Sequence, residues 1–403
     1  MRISIFLFSM LFLFSCQEKK TESVFDSIFA SGSELFKSVI DEKDKFEVQV
    51  LFSPISRKGD SIIVKDHFFN YKPGEYFYPA STVKMPVAFL ALQRLEELRK
   101  EGFAIDRNTP MRIDSLRPPQ SPVTTDSTNL GNLPTIGHYV DKVFAVSDND
   151  AYNRLYEFCG SDYINARLRS KGIFTNSRII HRVGVGGFSY EENKYTPSIH
   201  FMDADGNTIY TKEAFKSQGN HLTIVENTNK GVAYINSEDQ KVDEPFDFSK
   251  KNFINIRDLQ ESLKRVVFPE LYFEGERYGM SEEDRQFVLE SAGKLPRDHP
   301  YLKDHLDEYY DSYVKFFQFG DKKDRMPDHI TIHNKVGFAY GYLTDCAYIV
   351  DSKEGVEYFL TATVHVNENQ TYNDGVYEYD EIGIPFLGEL GRLVHDYVIK
   401  NKA

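Results

Sequence analysis

The chain is poor in several features that mark other classes of protein. Its 403 residues include no tryptophan and three cysteines, whose spacing matches neither a disulfide framework nor a zinc site. Cys159 and Cys346 could pair in an oxidising compartment, but buried free thiols are expected. Basic residues are also in deficit, with 48 Lys and Arg against 61 Asp and Glu and a net charge of −13. Because an acidic surface repels a phosphate backbone, nucleic-acid binding is not expected.

The long apolar run of the chain lies at its N-terminus. Residues 3–14 follow Arg2 and lead into Cys16, which is the pattern of a bacterial lipoprotein signal. The run is too short to span a bilayer comfortably. We therefore predict a signal peptide over residues 1–15, lipidation of Cys16 and a tether over residues 16–23. The protein would be exported and membrane-anchored, in the periplasm or at the cell surface; an uncleaved anchor is the alternative.

Hydrophobic periodicity predicts an α+β fold with two lobes. Helical spacing over residues 24–40 precedes a hairpin whose turn lies at residues 57–60. Three further strands are predicted near the C-terminus, over residues 330–340, 343–350 and 356–366. With a closing helix, these elements predict a five-stranded antiparallel sheet flanked by terminal helices, formed by about residues 24–80 and 328–403. A helical lobe with a long insertion is predicted between them, over about residues 81–327.

Two patterns inside the long insertion have ordinary structural explanations. Residues 203–207 superficially resemble a calcium loop, but Gly206 is fourth in the loop, whereas an EF-hand needs its glycine sixth. A hairpin turn is therefore predicted there. An aromatic stripe at helical spacing predicts a helix packed in the core, rather than a binding platform. Its members are Leu302, Leu306, Tyr309, Tyr313 and Phe316.

The first motif with chemical potential is Ser81-Thr82-Val83-Lys84, directly before a strongly apolar helical run. Ser81 should lie in the first turn of a helix, where free N–H groups and the helix dipole favour an anionic intermediate. Lys84 lies one turn further on the same face. It can accept the hydroxyl proton if desolvation or a nearby cation, such as Lys335, lowers its pKa. Alone, this spacing is weak evidence.

The second motif is Ser147-Asp148-Asn149, which falls between two helix-like runs. At a helix junction, the hydroxyl of Ser147 can relay a proton to a leaving nitrogen, and the amide of Asn149 can hold a lysine and a substrate carbonyl. The alternative is an ordinary helix-capping turn.

The third motif is Lys335-Val336-Gly337, on the first strand of the C-terminal meander. Lys335 can receive a substrate carboxylate, and Gly337 would let a ligand approach the backbone closely. The N–H groups of Phe338 and Ser81 could together form an oxyanion hole. Taken alone, this triplet indicates nothing.

In this order, the three motifs resemble the signature of the class A β-lactamases and the penicillin-binding proteins. The resemblance implies their fold, with the site in a cleft between the sheet and the helical lobe, and it implies neither metal nor cofactor. The implied catalytic residues are Ser81, Lys84 and Ser147, and the implied substrate-binding residues are Asn149, Lys335, Gly337 and Phe338.

The sequence departs from this family in three places. Val336 replaces the usual threonine, whose hydroxyl helps to bind the substrate carboxylate. Class A enzymes also use a loop glutamate to activate the deacylating water, but the best-matching stretch has Gly184 at that place. Glu191 and Glu192 lie nearby without the expected flanks. Finally, residues 193–325 are longer than a compact β-lactamase needs.

We therefore expect a serine hydrolase that forms an acyl-enzyme on Ser81 with a β-lactam or a D-alanyl-type cell-wall peptide. Efficient deacylation stays open, because the water-activating glutamate has no match. The alternative is a surface-tethered binding protein for such ligands or for peptidoglycan, with the same fold but impaired catalysis. Other hydrolase classes are less well supported, since the chain has no G-x-S-x-G or H-E-x-x-H motif.

Overall fold

An antiparallel sheet built from both ends of the chain organises the molecule. The computed structural model describes residues 23–402, so the predicted signal peptide and Cys16 lie outside the described residues. The α-helices are α1 (Val24–Phe29), α2 (Glu34–Asp41), α3 (Lys84–Lys100), α4 (Ile136–Ala145), α5 (Asn149–Cys159), α6 (Ser161–Ser170), α7 (Ile256–Val267), α8 (Glu282–Gly293) and α9 (Ile384–Lys400). The strands are β1 (Gln49–Lys58), β2 (Ser61–Val64), β3 (His67–Phe69), β4 (Met111–Ile113), β5 (Tyr195–Thr196), β6 (Ile199–Met202), β7 (Thr208–Lys212), β8 (Phe215–Lys216), β9 (Asn229–Lys230), β10 (Ala233–Ile235), β11 (Lys241–Val242), β12 (Phe246–Asp247), β13 (Ile330–Ala339), β14 (Tyr342–Asp351), β15 (Val356–His365) and β16 (Thr371–Tyr372).

The main sheet has the strand order β13-β14-β15-β1-β2, and β3 also pairs with β1. All of these pairs are antiparallel. The sheet therefore has the five strand positions that were predicted. The fifth position, beside β1, is shared by two short strands, β2 and β3. There, β2 pairs with the end of β1 from Ile55, and β3 pairs with its start from Val50 to Phe52. The α+β class and the C-terminal meander are confirmed.

The terminal helices cover one face of the sheet, but the predicted opening helix is broken. It ends at Phe29, and α2 begins after Ser33, whose hydroxyl accepts a hydrogen bond from the N–H of Phe36. A serine cap satisfies an N–H that would otherwise have no partner, so it starts a new helix. Phe36 then stacks on Phe386 of α9 with 5.1 Å between ring centroids, which joins the two ends of the chain.

The helical lobe packs on the other face of the sheet through α7. At its centre, α3 is buried around most of its circumference, as expected for a helix that is apolar on all sides. Residues 171–255 contain no α-helix; short strands occupy this part of the insertion instead. The predicted turn at residues 203–207 is confirmed, because it joins the antiparallel strands β6 and β7. The prediction of a helical lobe over the whole insertion therefore does not hold for residues 171–255, where short paired strands replace helices.

Three further findings concern residues 23–402. Cys159 and Cys346 are free thiols, and burial raises the pKa of both. In this range, no helix is long and apolar enough to cross a membrane. The same part of the chain holds no group of three or more His, Cys, Asp or Glu side chains placed to bind a metal ion.

Candidate active site

Ser81 lies in a 3₁₀ turn, Ala80–Val83, that runs directly into α3. Ala80 adopts a φ of +46°, a conformation that costs energy for a residue with a Cβ. The turn is held by Thr82, whose hydroxyl donates to the carbonyl oxygen of Pro79 at 2.6 Å. Ser81 itself is partly exposed and lines a cleft of about 440 Å³. Its hydroxyl thus occupies the helix start that the sequence predicted.

Lys84 is completely buried below this turn. Its Nζ donates to the carbonyl oxygen of Ser147 at 2.5 Å and to Oδ1 of Asn149 at 2.6 Å, and it lies 3.3 Å from Oγ of Ser147. Burial lowers the pKa of Lys84 from 10.5 to about 7, and the negative charge of Asp148 partly opposes this shift. Lys84 can therefore be neutral near physiological pH, as a general base must be.

The second motif occupies the junction of α4 and α5. Ser147 has a φ of +57°, which turns the chain between the helices. Asp148 caps α5, because its carboxylate accepts from the N–H of Ala151 at 2.8 Å. The capping alternative therefore holds for Asp148, while Ser147 and Asn149 on either side contact Lys84.

Lys335 on β13 reaches the same serine from the opposite side of the cleft. Its Nζ donates to Oγ of Ser147 at 2.8 Å and to the carbonyl oxygen of Val336 at 2.7 Å. Burial, and then the positive charge of Lys84, holds the pKa of Lys335 well below 10.5. Of the two causes predicted for the lowered pKa of Lys84, desolvation and the charge of a cation such as Lys335, desolvation is the one that acts. The hydroxyl of Ser147 thus lies between two lysines whose charged forms are both disfavoured.

Gly337 has a role that differs from the expected one. A Cβ at this position would lie 2.6 Å from the backbone nitrogen of Ser81 and 2.7 Å from the carbonyl oxygen of Pro79. The absence of a side chain therefore admits the backbone of the serine turn, rather than only a ligand. Phe338, the next residue, is 52% exposed and lines the cleft with Ser81. The two predicted oxyanion-hole residues are brought to the same wall.

A tyrosine segment, residues 306–317, closes the other side of the cleft. We predicted a core helix here, but the chain forms a short 3₁₀ helix to His305 and then turns. Tyr309 and Tyr313 line the cleft, with their rings nearly perpendicular and 4.9 Å apart. Core packing holds for Leu302 and Phe316, which are buried. No sequence signal separated the tyrosines from them, because all five share one helical spacing.

Two buried charges anchor the tyrosine segment. Nζ of Lys315 donates to the carbonyl oxygens of Ala292 and Ile332, each at 2.7 Å. Asp345 on β14 accepts from the N–H groups of Phe316 and Phe317 at 3.1 and 3.3 Å. Burial raises the pKa of Asp345 to about 6 and lowers that of Lys315 to about 7. The cleft wall is therefore fixed to the sheet.

The positions that depart from the family signature have clear structural settings. Val336 is 2% exposed and belongs to the core beneath the terminal helices. Gly184 lines the cleft with a φ of +60°, and a Cβ there would lie 2.5 Å from Cγ of Asn149. Glu191 and Glu192 do not line the cleft; Glu191 forms an ion pair with a lysine and Glu192 with an arginine. Among the described residues that line the cleft, the capping Asp148 is the only carboxylate.

Comparisons with known proteins give a family match for part of the chain and a match of the fold. A model of the β-lactamase enzyme family matches residues 38–231. A β-lactamase from Burkholderia ambifaria has a TM-score of 0.50 and 12% sequence identity, covering 92% of this chain and 100% of that chain. A variant of the last common ancestor of the class A β-lactamases of Gram-negative bacteria, bound to 5(6)-nitrobenzotriazole, has a TM-score of 0.50 and 14% identity, over 91% and 99% of the two chains. At such identities the likeness concerns the fold. No curated protein sequence matches the chain significantly.

Proposed function

We propose that the chain is a β-lactamase-like serine hydrolase that forms its acyl-enzyme on Ser81, since a model of the β-lactamase enzyme family matches residues 38–231. The substrate would be a β-lactam or a D-alanyl-type peptide amide. One observation carries the proposal: Lys84 and Lys335 both approach the hydroxyl of Ser147, at 3.3 and 2.8 Å, in the cleft that Ser81 lines. This arrangement places a general base (Lys84), a proton relay (Ser147) and a second lysine (Lys335) beside the nucleophile Ser81.

Acylation then uses each group once. Neutral Lys84 accepts the Ser81 proton as Oγ bonds to the carbonyl carbon, and the N–H groups of Ser81 and Phe338 stabilise the oxyanion. The tetrahedral intermediate collapses when the C–N bond breaks. The leaving nitrogen takes a proton from Ser147, and the protonated Lys84 returns its proton to Ser147. Protonated Lys335 has one N–H beyond its contacts with Ser147 and Val336, and this donor binds a carboxylate of the substrate.

Deacylation is proposed to be slow. Hydrolysis of the ester needs a base that activates water. Gly184 occupies the place of the water-activating glutamate, and a side chain at this position would collide with Asn149. Asp148 lines the cleft, but its carboxylate is engaged as the cap of α5. The acyl-enzyme should therefore persist, as in a penicillin-binding or transfer role, rather than turn over rapidly.

Intact-mass spectrometry over time, with a panel of β-lactams, tests this proposal. We expect a stoichiometric adduct that maps to Ser81 and decays slowly. Ser81→Ala should abolish the adduct, whereas Ser38→Ala, an exposed hydroxyl in α2, should not. If no β-lactam or activated acyl probe labels the protein while ligands still bind the Ser81→Ala variant, the chain is instead a binding protein with a β-lactamase fold.

We also propose that the protein is an exported lipoprotein, anchored to a membrane through Cys16. The support is the sequence pattern of residues 1–16 alone. Incorporation of a radiolabelled fatty acid in a bacterial host should occur in the unmodified chain and be lost in Cys16→Ser. Labelling that survives this substitution would contradict the proposal.

A further inference from the structure

A second cavity of about 360 Å³ lies directly beside the catalytic cleft. The two share Tyr78, Val183 and Gly184 as a common wall. We call the second cavity the distal subsite; beyond the shared wall, its lining includes His181, Tyr190, Lys250, Lys251 and Tyr340. It continues the cleft, so one extended ligand can occupy both.

The distal subsite is positively charged in an otherwise acidic protein. Lys250 and Lys251 come from the long insertion, and neither forms a salt bridge with any residue in the described range. Arg182 also lines the cavity, but Glu157 neutralises it at 2.9 Å. The lining described here contains no Asp or Glu. Lys250 lies 6.0 Å from the ring centroid of Tyr190 and Lys251 5.9 Å from that of Phe246, and without an acidic partner both can attract an anion into the cavity.

A buried arginine holds the loop that contains Lys250 and Lys251 in place. Arg178 is 1% exposed, and its guanidinium donates to the carbonyl oxygens of Lys251, Thr223 and Ser249 at 2.8 to 2.9 Å. Burial lowers the pKa of Arg178, as it does that of Lys251. The backbone that carries the two lysines is thus held in place, and the buried charge behind it adds to the positive potential.

His181 supplies a second polar group, one that fits an N–H donor. Its Nδ1 contacts the carbonyl oxygen of Arg182, so that nitrogen carries the proton. Burial lowers the pKa of His181 to about 3, which leaves the ring neutral and its Nε2 an acceptor. Within residues 23–402, this buried Nε2 has no hydrogen-bond partner. His181 lines the distal subsite, so a small rotation of its ring would offer this acceptor to a ligand N–H, such as that of a peptide bond.

The position of Ser147 decides which part of the substrate enters the subsite. The leaving nitrogen must approach the Ser147 hydroxyl, which lies between Lys84 and Lys335. The distal subsite lies beyond Gly184 and does not include Ser147. The acyl portion, on the other side of the scissile bond, therefore extends into it.

We propose that the acyl portion of the substrate is a peptide-like chain carrying a carboxylate, which Lys250 and Lys251 bind in the distal subsite. This inference rests on the proposed acylation of Ser81 and specifies its substrate class. It assigns substrate selection to two lysines outside the three catalytic motifs.

Two penicillins that differ only at the end of the side chain test the proposal. One has an adipoyl group, ending in a carboxylate, and the other an adipamoyl group, ending in a neutral amide. Intact-mass spectrometry gives the second-order rate constant of Ser81 acylation for each. We expect the acid to react about fivefold to tenfold faster at low ionic strength, with a ratio that falls as salt is added.

Matched variants locate the effect. In Lys250→Gln/Lys251→Gln the ratio should fall to about one, and in Lys250→Glu below one, whereas Lys241→Gln, an exposed lysine on β11, should retain it. If the double variant does not fold, the Lys250→Glu variant tests the inference, because Lys250 is exposed and its substitution should not disturb folding. Equal rates in the unmodified protein, or a preference that survives in these variants, would overturn the inference alone. If neither penicillin labels Ser81, the proposed function fails and the inference fails with it.

Discussion

The rate of Ser81 acylation should depend on pH through the protonation of Lys84. Burial lowers the pKa of this lysine from 10.5 to about 7. At pH 7, a lysine with the ordinary pKa is neutral in about one molecule in 3,000, whereas Lys84 would be neutral in about half of the molecules. The fold thus increases the supply of base about a thousandfold at neutral pH. Because the neutral form is active, the rate is lost as pH falls through about 7.

The assay is the second-order rate constant of acylation by one β-lactam from pH 5.5 to 9, followed by intact mass. We expect a fall of about tenfold per pH unit below the midpoint and a plateau above about pH 8. Asp148→Asn should move the midpoint to lower pH, because the Asp148 charge raises the pKa of Lys84 and asparagine still caps a helix. Asp150→Asn, an exposed neighbour in α5, should leave the midpoint unchanged.

Two results would refute this reasoning. A rate that does not vary between pH 5.5 and 9, or a midpoint above pH 9, would mean that Lys84 is not the base. Substantial acylation of a Lys84→Met variant that folds normally would mean the same, since this side chain has no site that accepts a proton.

Three further substitutions test the packing around the site. Gly337→Ala crowds the backbone of the serine turn at 2.6 Å, so urea unfolding should reveal a loss of about 1–3 kcal/mol, and acylation should slow about a hundredfold. Gly184→Glu should slow acylation without creating turnover of a chromogenic cephalosporin, since it displaces Asn149; rapid turnover would contradict this. Glu157→Gln leaves Arg182 without an acidic partner, while Arg154 keeps Asp150, and it should cost about 3 kcal/mol in urea unfolding. Glu191→Gln, which breaks an exposed pair, should cost less than about 1 kcal/mol, and equal losses would refute the comparison.

The catalytic motifs were accessible from the sequence because each is short and local. Ser81 and Lys84 are one helical turn apart, so their common face follows from helix geometry. The meander over β13 to β15 was equally accessible, because alternation of apolar residues continues through each strand. Fold class and sheet could therefore be predicted closely, except that Ser33 starts a second helix where periodicity alone predicted one.

Other parts of the site depend on contacts between distant segments. Tyr309 and Tyr313 carry the same periodicity as their buried neighbours, and only the anchoring of their segment at Asp345 turns them toward the cleft. Lys250 and Lys251 form no motif at all. They reach the distal subsite because a buried arginine more than 70 residues earlier binds their loop.

The sequence by itself determined the proposed nucleophile, the lysine one helical turn after it and the order of the three motifs, since these are properties of short segments with fixed backbone geometry. The tertiary structure alone decided that Lys84 and Lys335 meet at one hydroxyl, because burial of both lysines requires α3, α5 and β13 to pack together. It also decided that Asn149 occupies the space above Gly184. The physical reason is the same in each case: desolvation and steric exclusion arise from neighbours in space, which the order of residues along the chain does not specify.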